Sequence, residues 1–345
     1  AEDSGGARDY LRELLGRINY DYQGKYLLEV NGRYDGSSRF PRNNRYGFFP
    51  SFSLGWQVGR EKFMKWTENW LNEFKLRASW GEIGNQVLGD KLIHNYAYIA
   101  MMDPEKAQWI MNGMRPITLT TPGMVSSNFT WEVAKTTNIG VDLSLFNNRL
   151  QTTFEWYQRR TEGMLAPGAD FSAEIGAAAP RMNAADLRNR GWEWSISWRE
   201  QRGDWRYNIS FNIYDSKTII EKYDNAACSL PSDAMPYYEG MTLGERWGYV
   251  TDGFYEINDF VPSSDDVKGW QDGVWTLREG ITSIQGITVR PGDVKFKNLR
   301  DDENSVNRID PGASTVDNPG DQKIIGNTSA RFQFGSSLGF GYKGF

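Results

Sequence analysis

The feature that most constrains this chain is a period-two alternation of apolar and polar residues that recurs in about nine segments. Between Gly191 and Lys217, Trp192, Trp194, Ile196 and Trp198 share one face, and Glu193, Ser195, Ser197 and Arg199 share the other. A short polar turn follows. Then Trp205, Tyr207, Ile209, Phe211 and Ile213 oppose Arg206, Asn208, Ser210 and Asn212. Period two is the mark of a strand with one face out of water.

Further apolar rows are Leu14, Ile18, Tyr20 and Tyr22; Tyr26, Leu28, Val30 and Tyr34; and Phe52, Leu54, Trp56 and Val58. Phe74, Leu76, Ala78 and Trp80 make another, as do Ile139, Val141, Leu143 and Leu145, and Leu150, Thr152, Phe154 and Trp156. The last is Phe332, Phe334, Leu338, Phe340 and Tyr342. Several segments approach the ~9–11 residues of a tilted strand crossing a bilayer. Strands of ordinary globular proteins have about 5–6.

The links between segments alternate in length. Tyr22 to Lys25, Gly59 to Asn72, Phe146 to Leu150 and Glu200 to Asp204 are short or compact. Arg39 to Gly47, Gln86 to Trp131, Thr161 to Asn189 and Ser216 to Thr328 are longer. An outer-membrane barrel has this asymmetry, with short periplasmic turns and long extracellular loops. A β-sandwich has no reason to gather its long loops at one end. In the compact link, Phe63, Trp66 and Trp70 have roughly helical spacing, which predicts a short helix at the short-turn rim.

Composition agrees. Aromatic residues make up 14% of the 345, yet mean hydropathy is -0.61, which suits one apolar face with long polar loops. The net charge of -5 gives no basic excess for nucleic acid. The single cysteine, Cys228, cannot form an internal disulfide. No run approaches the ~18 apolar residues of a spanning helix. The start, AEDSGGARDY, has no signal-peptide pattern, so a signal has been removed or the chain begins within a longer protein.

Specific segments carry a resemblance. YLLEVNGRYDGSSRF, FFPSFSLGW and FKLRASWGEIGNQ, then WEVAKTTNIGVDLSLFNNRLQTTFEWYQRRTEGML, NRGWEWSISW and RPGDVKFKNL, resemble in order the signature segments of the SusC-like (SusC/RagA) TonB-dependent outer-membrane transporters. The resemblance implies an all-β, antiparallel transmembrane β-barrel of 22 strands, of which residues 1–345 are a part. The plug domain and the C-terminal strands are then expected outside this chain, and its partners include the remaining segments of the same barrel and outer-membrane lipid. It implies import of oligosaccharides or oligopeptides, energised by TonB and capped by a SusD-like lipoprotein lid.

Little in the chain points to catalysis. His94, the only histidine, has no nucleophile motif nearby. No Cys/His metal spacing occurs, and the glycines of GEIGNQVLG lack a strand-to-helix context for phosphate. Family members often carry a calcium-loop-like stretch near KFKNLRDDENSVNRID. Here Asn298, Arg300 and Asp302 occupy alternate places, with Arg300 where a ligand should be and Glu303 where Gly is expected. A solvated acidic loop around Asp301 is the plainer reading, and neither metal nor cofactor is assigned. Trp109, Tyr237, Tyr238, Trp247, Trp270 and Trp275 lie in the long links. Their aromatic faces suit sugar rings or peptide side chains, and equally loop packing or the lid. The competing class is a soluble or surface-exposed β-sheet protein that binds or hydrolyses carbohydrate.

Overall fold

The computed structural model describes residues 9–88, 91–92, 97–100, 102, 104–122, 124–126, 129–167, 181–225, 228–232, 237–261, 275–300 and 306–344. The chain divides into two compact units, residues 1–224 with 331–345, and residues 225–330.

The first unit is built on a nine-stranded antiparallel sheet. Its strands are β1 (Leu11–Tyr22), β2 (Tyr26–Ser37), β3 (Tyr46–Gln57), β4 (Leu71–Asn85), β5 (Glu132–Leu145), β6 (Leu150–Pro167), β7 (Arg181–Arg202), β8 (Trp205–Lys222) and β9 (Gln333–Tyr342). Neighbours in space are neighbours in this order, so the sheet is a meander edged by β1 and β9.

Register joins the apolar rows across strands. Tyr20 pairs with Leu28, Leu28 with Leu54, Leu54 with Ala78 and Ala78 with Ile139. The row continues through Trp156 and Trp192. On the next strands Trp198 pairs with Ile209 and Ile209 with Leu338. A one-residue slip anywhere would move a whole strand's apolar set to the other face, so the pattern itself holds the register.

Nothing among the described residues covers this face. Ile139, in the middle of the sheet, is 51% exposed, and Leu338 near its edge is 66% exposed. Phe52, Leu54, Phe154, Trp194 and Ile209 are exposed as well. A soluble sheet buries such a face against a second layer, whereas here the tryptophans of β7 meet their own ladder neighbours. Trp194 lies 6.4 Å from Phe211 edge-on, and Trp192 stacks 6.3 Å from Phe154. An apolar surface of this extent belongs against lipid. On β8 it runs from Trp205 to Ile213 before Asp215 interrupts it. Those residues cover roughly 27 Å along the strand, or about 20 Å along a membrane normal at barrel tilt. No helix among the described residues is long and apolar enough to cross a membrane.

The short-turn end carries paired aromatics. Tyr26 stacks on Trp56 at 6.4 Å, Phe146 meets Trp198 at 6.3 Å and Trp205 meets Tyr342 at 4.7 Å. Amphipathic rings suit a membrane interface, where one end is apolar and the other wet. The helix expected in the compact link is 3-10 rather than α, at Val58–Arg60 and Lys62–Thr67. In a 3-10 turn residues three apart eclipse, which sets Phe63 and Trp66 outward on one side, both well exposed.

Glu61, between those two turns, clasps this rim. It accepts from Tyr26 Oη at 2.7 Å, Lys25 Nζ at 3.1 Å and Trp56 Nε1 at 3.2 Å. The hydrogen bond from Tyr26, then those from Lys25 and Trp56, push its carboxyl down to about 2. The folded value lies below the ordinary one near 4.5, so the clasp stabilises fully above that pH and is lost as pH falls through about 2. Glu61→Gln is therefore expected to lower the heat-modifiability midpoint by a constant amount near neutral pH. The gap to the native protein should close between about pH 4.5 and 2.

Two expected boundaries differ. The described residues of the link drawn from Thr161 to Asn189 are strand, because β6 runs to Pro167 and β7 starts at Arg181. Its alternation is hidden by irregularities at Thr161/Met164 and Asp186/Leu187, and by charge on both faces beyond the apolar zone. Phe332, expected in the last strand, precedes β9 in a left-handed conformation at φ 52°.

Candidate functional site

The face opposite the apolar one is polar, as a lumen wall would be. Arg77 on β4 reaches across β5 to β6. Its Nε donates to Asp142 Oδ2 at 3.0 Å, and its Nη2 pairs with Glu155. Asn138 Nδ2 donates to Glu155 Oε2 at 3.2 Å, and Thr153 Oγ1 to Asp142 Oδ1 at 3.0 Å. Gly140, register partner of both Arg77 and Glu155, makes this crossing possible, since a Cβ there would lie 2.7 Å from the guanidinium carbon.

A second polar group lies on β1 and β2. Arg17 Nε donates to Asn31 Oδ1 at 2.7 Å, and Asn31 Nδ2 to Glu29 Oε1 at 2.8 Å. Arg33 pairs with Asp35 at 2.8 Å and Glu13 at 3.2 Å. A recess of about 540 Å³ is lined by Arg17, Glu29, Asn31, Arg33 and Asp35 among others. Its charges are balanced within the wall, so it offers hydrogen-bonding edges without a strong net field.

The long link expected from Ser216 to Thr328 is mostly a compact unit of its own, Asn225–Ala330. Short ladders join Glu245–Gly248 to Lys323–Asn327, and Thr251–Phe254 to Val294–Phe296. Others join Phe260–Val261 to Thr276–Leu277, and Ser283–Ile284, in parallel, to Arg308–Ile309. A small core of Tyr255, Phe260 and Val289 holds them. Asp321, fully buried, accepts from the backbone N–H groups of Leu299 at 2.6 Å, Arg300 at 3.0 Å and Asp310 at 3.0 Å. The chain around the former calcium candidate thus folds on a carboxylate from another segment. Asp301, Asp302 and Glu303 lie outside the described residues.

The six aromatic candidates divide. Tyr238 is buried and donates to Glu245, while Trp247 Nε1 donates to the same carboxylate at 3.1 Å. Burial first, then the bond to Glu245, pushes the Tyr238 phenol well up, so it stays protonated. Trp275 packs edge-on against Phe260 at 5.4 Å. These three brace the loop unit. Trp109 and Tyr237 are exposed. Trp270 and His94 lie outside the described residues. Among the described residues no group of three or more His, Cys, Asp or Glu could hold a metal ion. Sequence reasoning did not single out the Arg77 cluster. Its only signal was a row of alternating polar residues, which does not say which of them meet across strands.

Comparison with known proteins places this geometry. The family profile described as TonB dependent receptor-like, beta-barrel matches residues 7–317. A TonB-dependent receptor of Formosa agariphila is 30% identical over 353 residues, 97% of this chain and 32% of its own length. The TonB-dependent receptor SusC of Bacteroides thetaiotaomicron is 34% identical over 221 residues, 62% of this chain and 21% of its own. The RagAB peptide importer in its closed-closed state superposes with a TM-score of 0.68 at 20% identity, covering 96% of this chain and 32% of that one. At that identity the likeness is one of fold. This chain spans about a third of the length of the first of these relatives.

Proposed function

The chain belongs to the TonB-dependent receptor-like β-barrel family, and from that premise we propose that it forms part of the wall and outer loops of an active importer in the outer membrane. The single observation that carries this reading is the two-faced sheet, with an exposed apolar face in the middle of which Ile139 stands open, and an ion-paired face behind it. Strands β1 and β9 then pair with neighbouring strands of the same barrel, since an open edge in lipid leaves backbone groups unsatisfied. TonB, engaged through a region outside this chain, supplies the energy.

The cargo in this reading is an oligopeptide or oligosaccharide, and a SusD-like lipoprotein closes the mouth. The SusC-like signature segments, with 34% identity to a receptor named SusC, support this reading. Trp109 and Tyr237, the exposed members of the aromatic set, are the contacts offered to cargo or lid. Large rings give contact area at low entropic cost. Trp109→Ala and Tyr237→Ala in the full-length protein should each reduce uptake of labelled peptide or oligosaccharide about tenfold, for loss of a hot spot near 1.4 kcal/mol. Surface abundance should stay unchanged. Normal uptake by the double variant removes these residues from the site. Protein that stays soluble without detergent defeats the membrane reading and revives the soluble carbohydrate-binding alternative.

A further inference from the structure

The apolar face does not give way to loops directly. Beyond Trp156 on β6, Trp192 on β7 and Ile213 on β8, the same face continues as paired strand, and its next side chains are charged or polar. Most of these charges are matched. Glu221 takes Arg160 at 2.7 Å and Arg188 at 3.2 Å, Lys135 takes Glu162 at 2.6 Å, and Asp215 takes Arg331.

Arg190 and Lys217 are the exception. They are direct register partners, one row beyond the Trp156–Trp192 pair, and both are exposed. Like charges facing each other across a ladder destabilise it. Arg190 Nη2 donates to Gln158 Oε1 at 3.0 Å, and its guanidinium lies 6.0 Å from the Trp156 ring centre. Those contacts orient it without neutralising it. Two residues of strand put this pair roughly 7 Å beyond the tryptophan row, the depth of lipid headgroups if the rings mark the interface.

We propose that Arg190 and Lys217 form a docking site for the phosphate of an outer-leaflet lipid headgroup, whose acyl chains lie along Trp192, Trp194 and Ile213 below. The inference rests on the membrane reading above. A phosphate matches the fork of Arg190 and the point charge of Lys217 together, and relieves their repulsion. The pair stands on the long-link side of the apolar zone, which is the outer leaflet in the proposed orientation.

The test is native mass spectrometry of the full-length protein in mild detergent, with added lipid A or dephosphorylated lipid A. Phosphorylated lipid should be retained preferentially. Arg190→Gln with Lys217→Gln should cut retention about tenfold or more, as loss of charge-assisted contacts implies. Lys217→Glu separates this role from a structural one. It should abolish retention yet raise the heat-modifiability midpoint, because the repulsive pair becomes attractive. Should the double variant fail to assemble, Lys217→Glu alone decides. Equal retention of both lipids, full retention by Lys217→Glu, or displacement by millimolar inorganic phosphate would overturn the proposal. Solubility without detergent, checked on the same samples, is the separate failure of the membrane reading.

Discussion

Ile209→Arg should destabilise the assembled barrel by about 2–4 kcal/mol, the cost of a cation on the lipid face near the bilayer midplane. Ile209 stands in the middle of the Trp205–Ile213 stretch, between Trp198 and Leu338, and is 45% exposed on a face that no second layer of the described residues covers. The carboxylates on that face are already engaged: Glu200, opposite Tyr207, pairs with Arg149 at 3.3 Å, and Asp215, three alternate positions away, is taken by Arg331. Ser210, the next residue, points to the polar face between Ser197 and Ser337. Ser210→Asn should stay within about 0.5 kcal/mol of the native protein. The measurement is the denaturant midpoint of folding into vesicles, or the fraction of heat-modifiable protein in outer membranes. In a soluble sheet with Ile209 at the surface, both variants would be mild, and equal tolerance would therefore refute the membrane face.

The second large effect belongs to the loop unit. Asp321→Ala removes the acceptor of three backbone N–H groups at once, in a position with no exposure. Each buried donor left unsatisfied costs about 1–3 kcal/mol. Backbone relaxation toward water recovers part of this, so a loss of roughly 3–5 kcal/mol is expected within the unit. A small core around Tyr255, Phe260 and Val289 offers little reserve against that. The segments around Leu299 and Asp310 should become cleavable by protease added to intact cells. The sheet should still assemble, since its strands pair without the unit. Loss of heat-modifiable barrel in Asp321→Ala would show instead that the unit is needed for assembly.

The sequence determined the sheet. Alternation in each segment assigned the face of every row from Leu28 to Leu338, because a strand displays its pattern directly in a period of two. The short turns at Phe146–Leu150 and Glu200–Asp204 assigned neighbours, because a few residues can join only antiparallel strands that lie side by side. Signature segments then carried the family. Past Thr161 and Ser216 the reading stopped, although β6, β7 and β8 continue to Pro167, back to Arg181 and on to Lys222. There charged and apolar residues share both faces, with Ala166, Ala184, Ala185 and Ile220 buried among them, so no binary pattern is left to read. The polar clusters were hidden for a related reason. Arg77 meets Glu155 across Gly140, and Arg190 faces Lys217, through registers that join residues far apart in the chain. Likewise the aromatic residues of the two long links looked equivalent. Only the tertiary structure separated Tyr238, Trp247 and Trp275, spent on holding the loop unit, from Trp109 and Tyr237, which remain exposed. Composition states which residues can be buried, but burial is decided by the partners that folding brings to them.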